Sequence, residues 1–98
     1  MSNEPLVTLA ADSIPQIPRG VRLHHDKVRD GWVLLAPERA IKLDAIGLAI
    51  LREIDGDRTF SAIVERLATQ FNAQPEQISN DVSEFVTALA NRRILEVI

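Results

Sequence analysis

The chain has 98 residues, of which 46% are apolar, 26% are charged and none is cysteine, and its formal net charge is −3. This length suits one domain with a modest core, and the lack of cysteine excludes disulfides, thiolate catalysis and cysteine-ligated metals. The apolar fraction is too high for a disordered chain, and no apolar run is long enough to cross a membrane. The acidic start lacks a secretory signal pattern, so we expect a cytoplasmic protein without membrane association.

Residues 1–17 are predicted to form an N-terminal arm, partly flexible, ahead of a folded domain spanning 18–98. Pro5 and Pro15 interrupt regular structure in this arm, although its apolar residues could lie on another surface. Two interpretations stay open. The arm is either a frayed terminus, which we favour for 1–12, or a strap over the domain or onto a second subunit.

Three short strands are predicted after the arm. Residues 21–27 alternate between apolar and polar side chains, and Asp30-Gly31 favours a hairpin turn. The segment Trp32–Ala36 is apolar on both faces, so we expect a central strand that is covered on both sides. After the turn at Pro37-Glu38, Arg39–Leu43 reads as a third strand.

The rest of the chain is predicted to be helical. Asp44 is a credible N-cap for a helix whose residues 45–51 are apolar all round, so we expect this helix to be buried on more than one side. Thr59 caps a second helix, and Pro75 begins a third. The tail Ile94–Ile98 could form a short strand. The predicted fold is α+β, a three-stranded antiparallel meander followed by three helices, and is winged-helix-like.

No catalytic motif is found in the sequence. The adjacent His24 and His25 lie on opposite faces of the first strand, because side chains alternate along a strand, so the two cannot readily share one metal ion. Phosphate-binding loops and the short signatures of metalloproteases and serine hydrolases are absent. We therefore expect no enzyme activity, no metal and no cofactor.

DNA binding is an alternative because a winged-helix-like fold often binds DNA. The third helix, over residues 76–92, carries Glu76, Asp81 and Glu84 against Arg92 alone. Such a helix would repel phosphates, on which nonspecific DNA affinity depends. We expect no nucleic-acid partner.

Peptide binding is better supported, because the third strand is an edge whose backbone groups are unpaired. An extended peptide could add there as a fourth strand and also contact the third helix. The predicted pairing residues are Arg39, Ala40, Ile41, Lys42 and Leu43. The predicted apolar floor consists of Val82, Phe85, Val86 and Leu89. Acidic peptide residues are expected to meet Arg39, Lys42 and Arg92.

An ordered set of segments across residues 18–95 resembles the PqqD family of pyrroloquinoline quinone (PQQ) biosynthesis. These segments are Pro18–Leu23, Trp32–Glu38, Ile41–Asp44, Ala49–Leu51, Asp55-Gly56, Thr59, Asp81-Val82, Phe85 and Leu89. The resemblance implies a peptide chaperone that binds the ribosomal precursor PqqA and presents it to the radical SAM enzyme PqqE. It also implies a leader-peptide groove between the third strand and the third helix, as in related RiPP recognition elements. A recognition element for a different modified peptide stays open, as does the choice between a monomer and a dimer, including a swapped dimer.

Overall fold

The computed structural model describes residues 9–98. Its elements in chain order are β1 Pro15–Gln16, β2 Arg22–Asp26, β3 Gly31–Ala36, β4 Arg39–Leu43, α1 Ala45–Glu53, α2 Phe60–Phe71, α3 Pro75–Asn91 and β5 Glu96–Val97. This confirms the α+β class, with a three-stranded antiparallel sheet followed by three helices. None of the helices in this part of the chain is long and apolar enough to span a bilayer.

The main sheet has the strand order β2-β3-β4, and β1 and β5 form a separate two-stranded sheet. Leu34 on the inner face of β3 is fully buried, whereas Val33 and Leu35 on the outer face are only half-buried. The expectation that β3 is covered on both sides is therefore wrong. The cross-strand neighbours of Val33 are His24 and Lys42, and the stems of such long polar side chains shield part of an apolar residue while their polar ends stay in water.

The helices begin where the capping residues place them. The Asp44 carboxylate accepts a hydrogen bond from the Gly47 N–H at 2.7 Å, and the Thr59 hydroxyl accepts one from the Ala62 N–H at 3.1 Å. Pro75 occupies the first turn of α3. Together the inner face of the sheet, the helices and the tail form one core. Its buried members are Leu34, Ile50, Leu51, Ile54, Ile63, Val64, Leu67, Ala68, Ile78, Val82, Val86, Leu89, Ile94 and Leu95.

The described part of the arm, residues 9–17, is a strap on its own domain. Ile14 and Ile98 exchange backbone hydrogen bonds of 3.0 and 2.9 Å, which join β1 to β5. The carbonyl of Ser13 accepts from the Phe60 N–H at 2.7 Å, and that of Ala11 accepts from the next amide of α2 at 3.0 Å. The strap thus satisfies two of the free amides at the start of α2. The fraying favoured for residues 1–12 stays a prediction, and residues 1–8 lie outside the described residues.

The prediction that α1 is buried on more than one side is wrong in its first turn. Gly47, Ile50 and Leu51 are buried, but Ile46 is 41% exposed. Ile46 borders an open depression between α1 and α3, into which no other element of residues 9–98 packs. Phe71, the last residue of α2, is also exposed.

Candidate functional site

The outer edge of β4 is open. The strand pairs with β3 along its whole length, and no other strand among residues 9–98 pairs with it. Arg39, Ala40 and Lys42 are exposed, while Ile41 and Leu43 are half-buried and pack against the core. The strand is therefore anchored by one face and leaves its backbone accessible along one edge.

The register between β3 and β4 determines which β4 backbone groups face this edge. Glu38 has a φ of 62°, and a proline followed by a residue of positive φ is typical of a type II turn. Such a two-residue loop closes with a hydrogen-bonded pair, here Ala36 and Arg39, and bonded and non-bonded pairs then alternate along the ladder. We therefore expect the N–H and C=O groups of Ala40 and Lys42 to point away from β3, where a guest strand could reach them.

A groove runs from the end of β4 to α3. One depression of about 440 Å³ is lined by Lys42, Leu43, Asp44 and Phe85. A second depression, of about 380 Å³, is lined by Asp44, Ile46, Gly47, Ile50, Asp81, Glu84 and Phe85. Because the two depressions share Asp44 and Phe85, they form one continuous surface, which we call the β4–α3 groove.

The half-buried Phe85 ring is the centre of the β4–α3 groove, and Gly47 makes room for it. A Cβ atom at Gly47 would lie 3.0 Å from Phe85 Cε2, closer than ordinary van der Waals contact, and 3.4 Å from Cζ. The glycine also supplies the amide that Asp44 caps. One residue thus permits both the start of α1 and the close approach of α3.

The predicted apolar floor is narrower than expected. Val82, Val86 and Leu89 are only 1%, 0% and 5% exposed, so their side chains belong to the core and support the groove from below. Phe85 is the one member of that set with accessible surface. The cause is the helical period, which turns the middle of an apolar stripe towards the core and leaves only its margin open. Arg92, the residue after α3, is exposed.

Sequence reasoning missed the polar residues that line the groove. The sequence indicates Asp44 as a cap but not as part of the groove, and it identifies Asp81 and Glu84 only as charges that disfavour DNA binding. Asp81 lies four residues before Phe85 and three before Glu84, and side chains at both spacings are neighbours on a helix surface. These spacings could have placed Asp81 beside the ring and Glu84 next to Asp81.

The histidines lie outside the groove. His25 packs on Trp32 with ring centroids 5.0 Å apart, and its Nε2 lies 3.5 Å from the Asp30 carboxylate. The Arg52 guanidinium covers the same indole at 5.1 Å. His24 is exposed on the opposite face of β2, as predicted. Between Leu9 and Ile98, no three histidine or carboxylate side chains come close enough together to hold a metal ion.

Comparison with known proteins gives consistent matches over most of the chain. The family model described as coenzyme PQQ synthesis protein D (PqqD) matches residues 31–95. A relative from Xanthomonas campestris pv. campestris (strain B100), named PqqA binding protein, is 44% identical over 90 residues, which are 92% of this chain and 98% of the relative.

Two solved structures are also similar. One is the solution NMR structure of the PqqD truncation of Methylobacterium extorquens PqqCD, described as a functional, stand-alone RiPP recognition element. It has a TM-score of 0.78 and 41% identity, and the match covers 90% of this chain and 94% of that one. The other is TbiB1 in complex with the TbiA(beta) leader peptide, with a TM-score of 0.70, 26% identity, and coverage of 83% and 94%.

Proposed function

The chain belongs to the PqqD family, and we propose that it is a non-catalytic adaptor that binds the precursor peptide PqqA and presents it to the radical SAM enzyme PqqE. The name of the Xanthomonas relative supports the choice of PqqA. The leader peptide bound by TbiB1 supports peptide binding by this fold. The role of PqqE follows from the family resemblance. We place peptide recognition in residues 18–98 and propose a cytoplasmic location.

The observation that carries the proposal is the open edge of β4 beside the β4–α3 groove. A guest strand would pair with the outward backbone groups of Ala40 and Lys42, and this pairing would supply affinity largely independent of guest sequence. An apolar guest side chain would lie against Phe85 and Ile46, which offer the accessible apolar surface of the groove.

The remaining predicted residues keep proposed roles of two kinds. Arg39, Lys42 and Arg92 would meet acidic residues of the peptide, since all three are exposed. The buried Val82, Val86 and Leu89 would act indirectly, by fixing α3 and therefore Phe85 against the sheet. Ile41 and Leu43 would do the same for β4.

Backbone amide measurements during titration with PqqA test this proposal. We expect chemical-shift changes along β4 and around Phe85, and slower hydrogen exchange at the amides of Ala40 and Lys42. The outward amides of β2, which by the same alternation are those of Leu23 and His25, provide a matched control at the opposite edge. Shifts confined to β2 would show that the wrong edge was chosen, and a lack of any response to PqqA would refute the proposed function.

Presentation to PqqE needs a separate measurement. We expect PqqE to form a ternary complex with the loaded adaptor and to modify PqqA faster in its presence. If PqqE modified free PqqA at the same rate and did not bind the loaded adaptor, the presentation role would be wrong while peptide binding could still hold.

A further inference from the structure

The wall of the β4–α3 groove away from the sheet carries three carboxylates and no cation. Asp44, Asp81 and Glu84 all line the second depression. Asp44 accepts a hydrogen bond from the Gly47 amide, and Asp81 accepts one from the Gln77 side-chain amide at 3.3 Å. None of the three is in an ion pair within residues 9–98, where the paired carboxylates are elsewhere. Three like charges thus border one depression with no cationic partner among the described residues.

Apolar surface lies directly among these carboxylates. The half-buried Phe85 and the 41% exposed Ile46 line the same depression. A guest strand that covered them would also remove water from the neighbouring carboxylates, and desolvated charge is costly unless it is paired. The carboxylates do not converge on a metal site among the described residues, so a cationic side chain of the guest is the partner that would neutralise them.

The charge along the groove also changes sign. Lys42 lines the depression next to β4, whereas the charged residues that line the depression beyond Asp44 are all acidic. We infer that the β4–α3 groove selects a peptide segment that carries a lysine or arginine over Phe85, adjacent to an apolar residue. This inference rests on the proposed function and specifies which guest sequence the site accepts.

Such a contact would also set the register of the guest strand. Backbone pairing at Ala40 and Lys42 is equally good after a two-residue slip, because a slip of two keeps the same side chains facing the groove. Only a side-chain contact can distinguish these registers. A basic residue held by the acidic wall, and kept away from Lys42 by repulsion, favours one register over the others.

The test uses the full chain and PqqA, with affinities measured by calorimetry at low and high salt. Asp81→Asn/Glu84→Gln removes two of the charges and keeps the shapes. We expect affinity to fall by about two- to fivefold at low salt and the loss to shrink at high salt, as for exposed ion pairs. Glu76→Gln, an exposed acidic residue on the same helix outside the groove, is the matched control and should bind PqqA like the parent protein.

The peptide side of the experiment identifies the basic residue. Each lysine and arginine of PqqA is changed to glutamine in turn, and each peptide is measured with the parent chain and with the double variant. We expect one substitution to weaken binding to the parent and to have no further effect on the double variant, which is the signature of a direct pair in a double-mutant cycle.

The possible outcomes separate the inference from the proposed function. If the parent chain did not bind PqqA, the proposed function would fail, and the inference with it. If the parent bound PqqA but the double variant bound it equally well or better, or no basic residue coupled to the acidic wall, the inference alone would be refuted. Thermal unfolding checks that the double variant is folded, and if it is not, the exposed Glu84→Gln alone gives the same comparison.

Discussion

Replacing Ala40 with proline tests strand addition at its most specific point. The Ala40 amide is expected to face the open edge of β4, so the substitution would remove a hydrogen-bond donor that the proposed guest strand would use and the protein's own sheet would not. The side chain of Ala40 is exposed. Proline is tolerated on edge strands where the missing N–H faces solvent, and the preceding Arg39 already has the extended backbone that proline favours.

The expected loss follows from one hydrogen bond. A backbone hydrogen bond contributes about 0.5–1.5 kcal/mol, which corresponds to an affinity for PqqA that is about two- to thirteenfold weaker. Contact between the proline ring and the guest strand would add to this loss. The free energy of unfolding should change little, because the substitution breaks no bond between β3 and β4.

Two companion variants make the result interpretable. Ala40→Val keeps the amide and adds a branched side chain that suits a strand, so it should retain affinity. Ile41→Pro removes a donor that bonds to β3 and should destabilise the sheet itself. Calorimetry with PqqA and denaturant unfolding measure the two effects separately. Full affinity in a folded Ala40→Pro protein would show that the guest does not pair with β4 at this amide.

Three further substitutions test the groove and its supports. Phe85→Ala should weaken PqqA binding by about 1–3 kcal/mol if the ring is an anchor, and unchanged affinity in the folded variant would exclude Phe85 from the site. Gly47→Ala would place a Cβ 3.0 Å from the Phe85 ring, so we expect weaker PqqA binding. The free energy of unfolding of this variant should fall by less than about 2 kcal/mol, because the higher helix propensity of alanine partly offsets the overpacking against Phe85. Unchanged PqqA binding would show that the ring can move without affecting the site. Glu53, which accepts hydrogen bonds from Arg58 at 3.0 Å and Arg66 at 2.6 Å, joins α1 to α2. Glu53→Gln should lower the unfolding free energy by about 1 kcal/mol in urea at low salt, with PqqA affinity unchanged, and an equally stable variant would contradict this reasoning.

The parts of the fold that depend on local signals could be predicted from the sequence. The bounds of β4 are those predicted, because the turn at Pro37-Glu38 fixes its start and the Asp44 cap fixes its end. Thr59 and Pro75 identify the starts of α2 and α3 for the same reason. Each of these signals acts over a few residues, so no knowledge of the tertiary structure is required.

The parts that depend on contacts between distant segments could not be predicted in this way. The exchange of hydrogen bonds between Ile14 and Ile98 joins the two ends of the described chain, and no local pattern indicates which partner the arm selects. Apolar residues recur along α3 at helical spacing, and we call Val82, Phe85, Val86 and Leu89 the α3 stripe. The spacing alone does not show that Val82 and Val86 are buried while Phe85 stays half-buried. That distinction depends on Gly47, which lies in another helix and lets the ring approach.

The division of the α3 stripe has a consequence for how the site would discriminate among peptides. Since most of the stripe stabilises the core, the apolar surface left for a guest is small, and backbone pairing must contribute much of the affinity. Backbone pairing scarcely distinguishes one extended sequence from another. In the proposed site, selection among peptides would therefore depend on the few side chains around Phe85, with Lys42 on one side and the acidic wall on the other. A site of this kind can remain open without exposing a large apolar patch, because charged residues border the edge and discourage its pairing with unrelated strands.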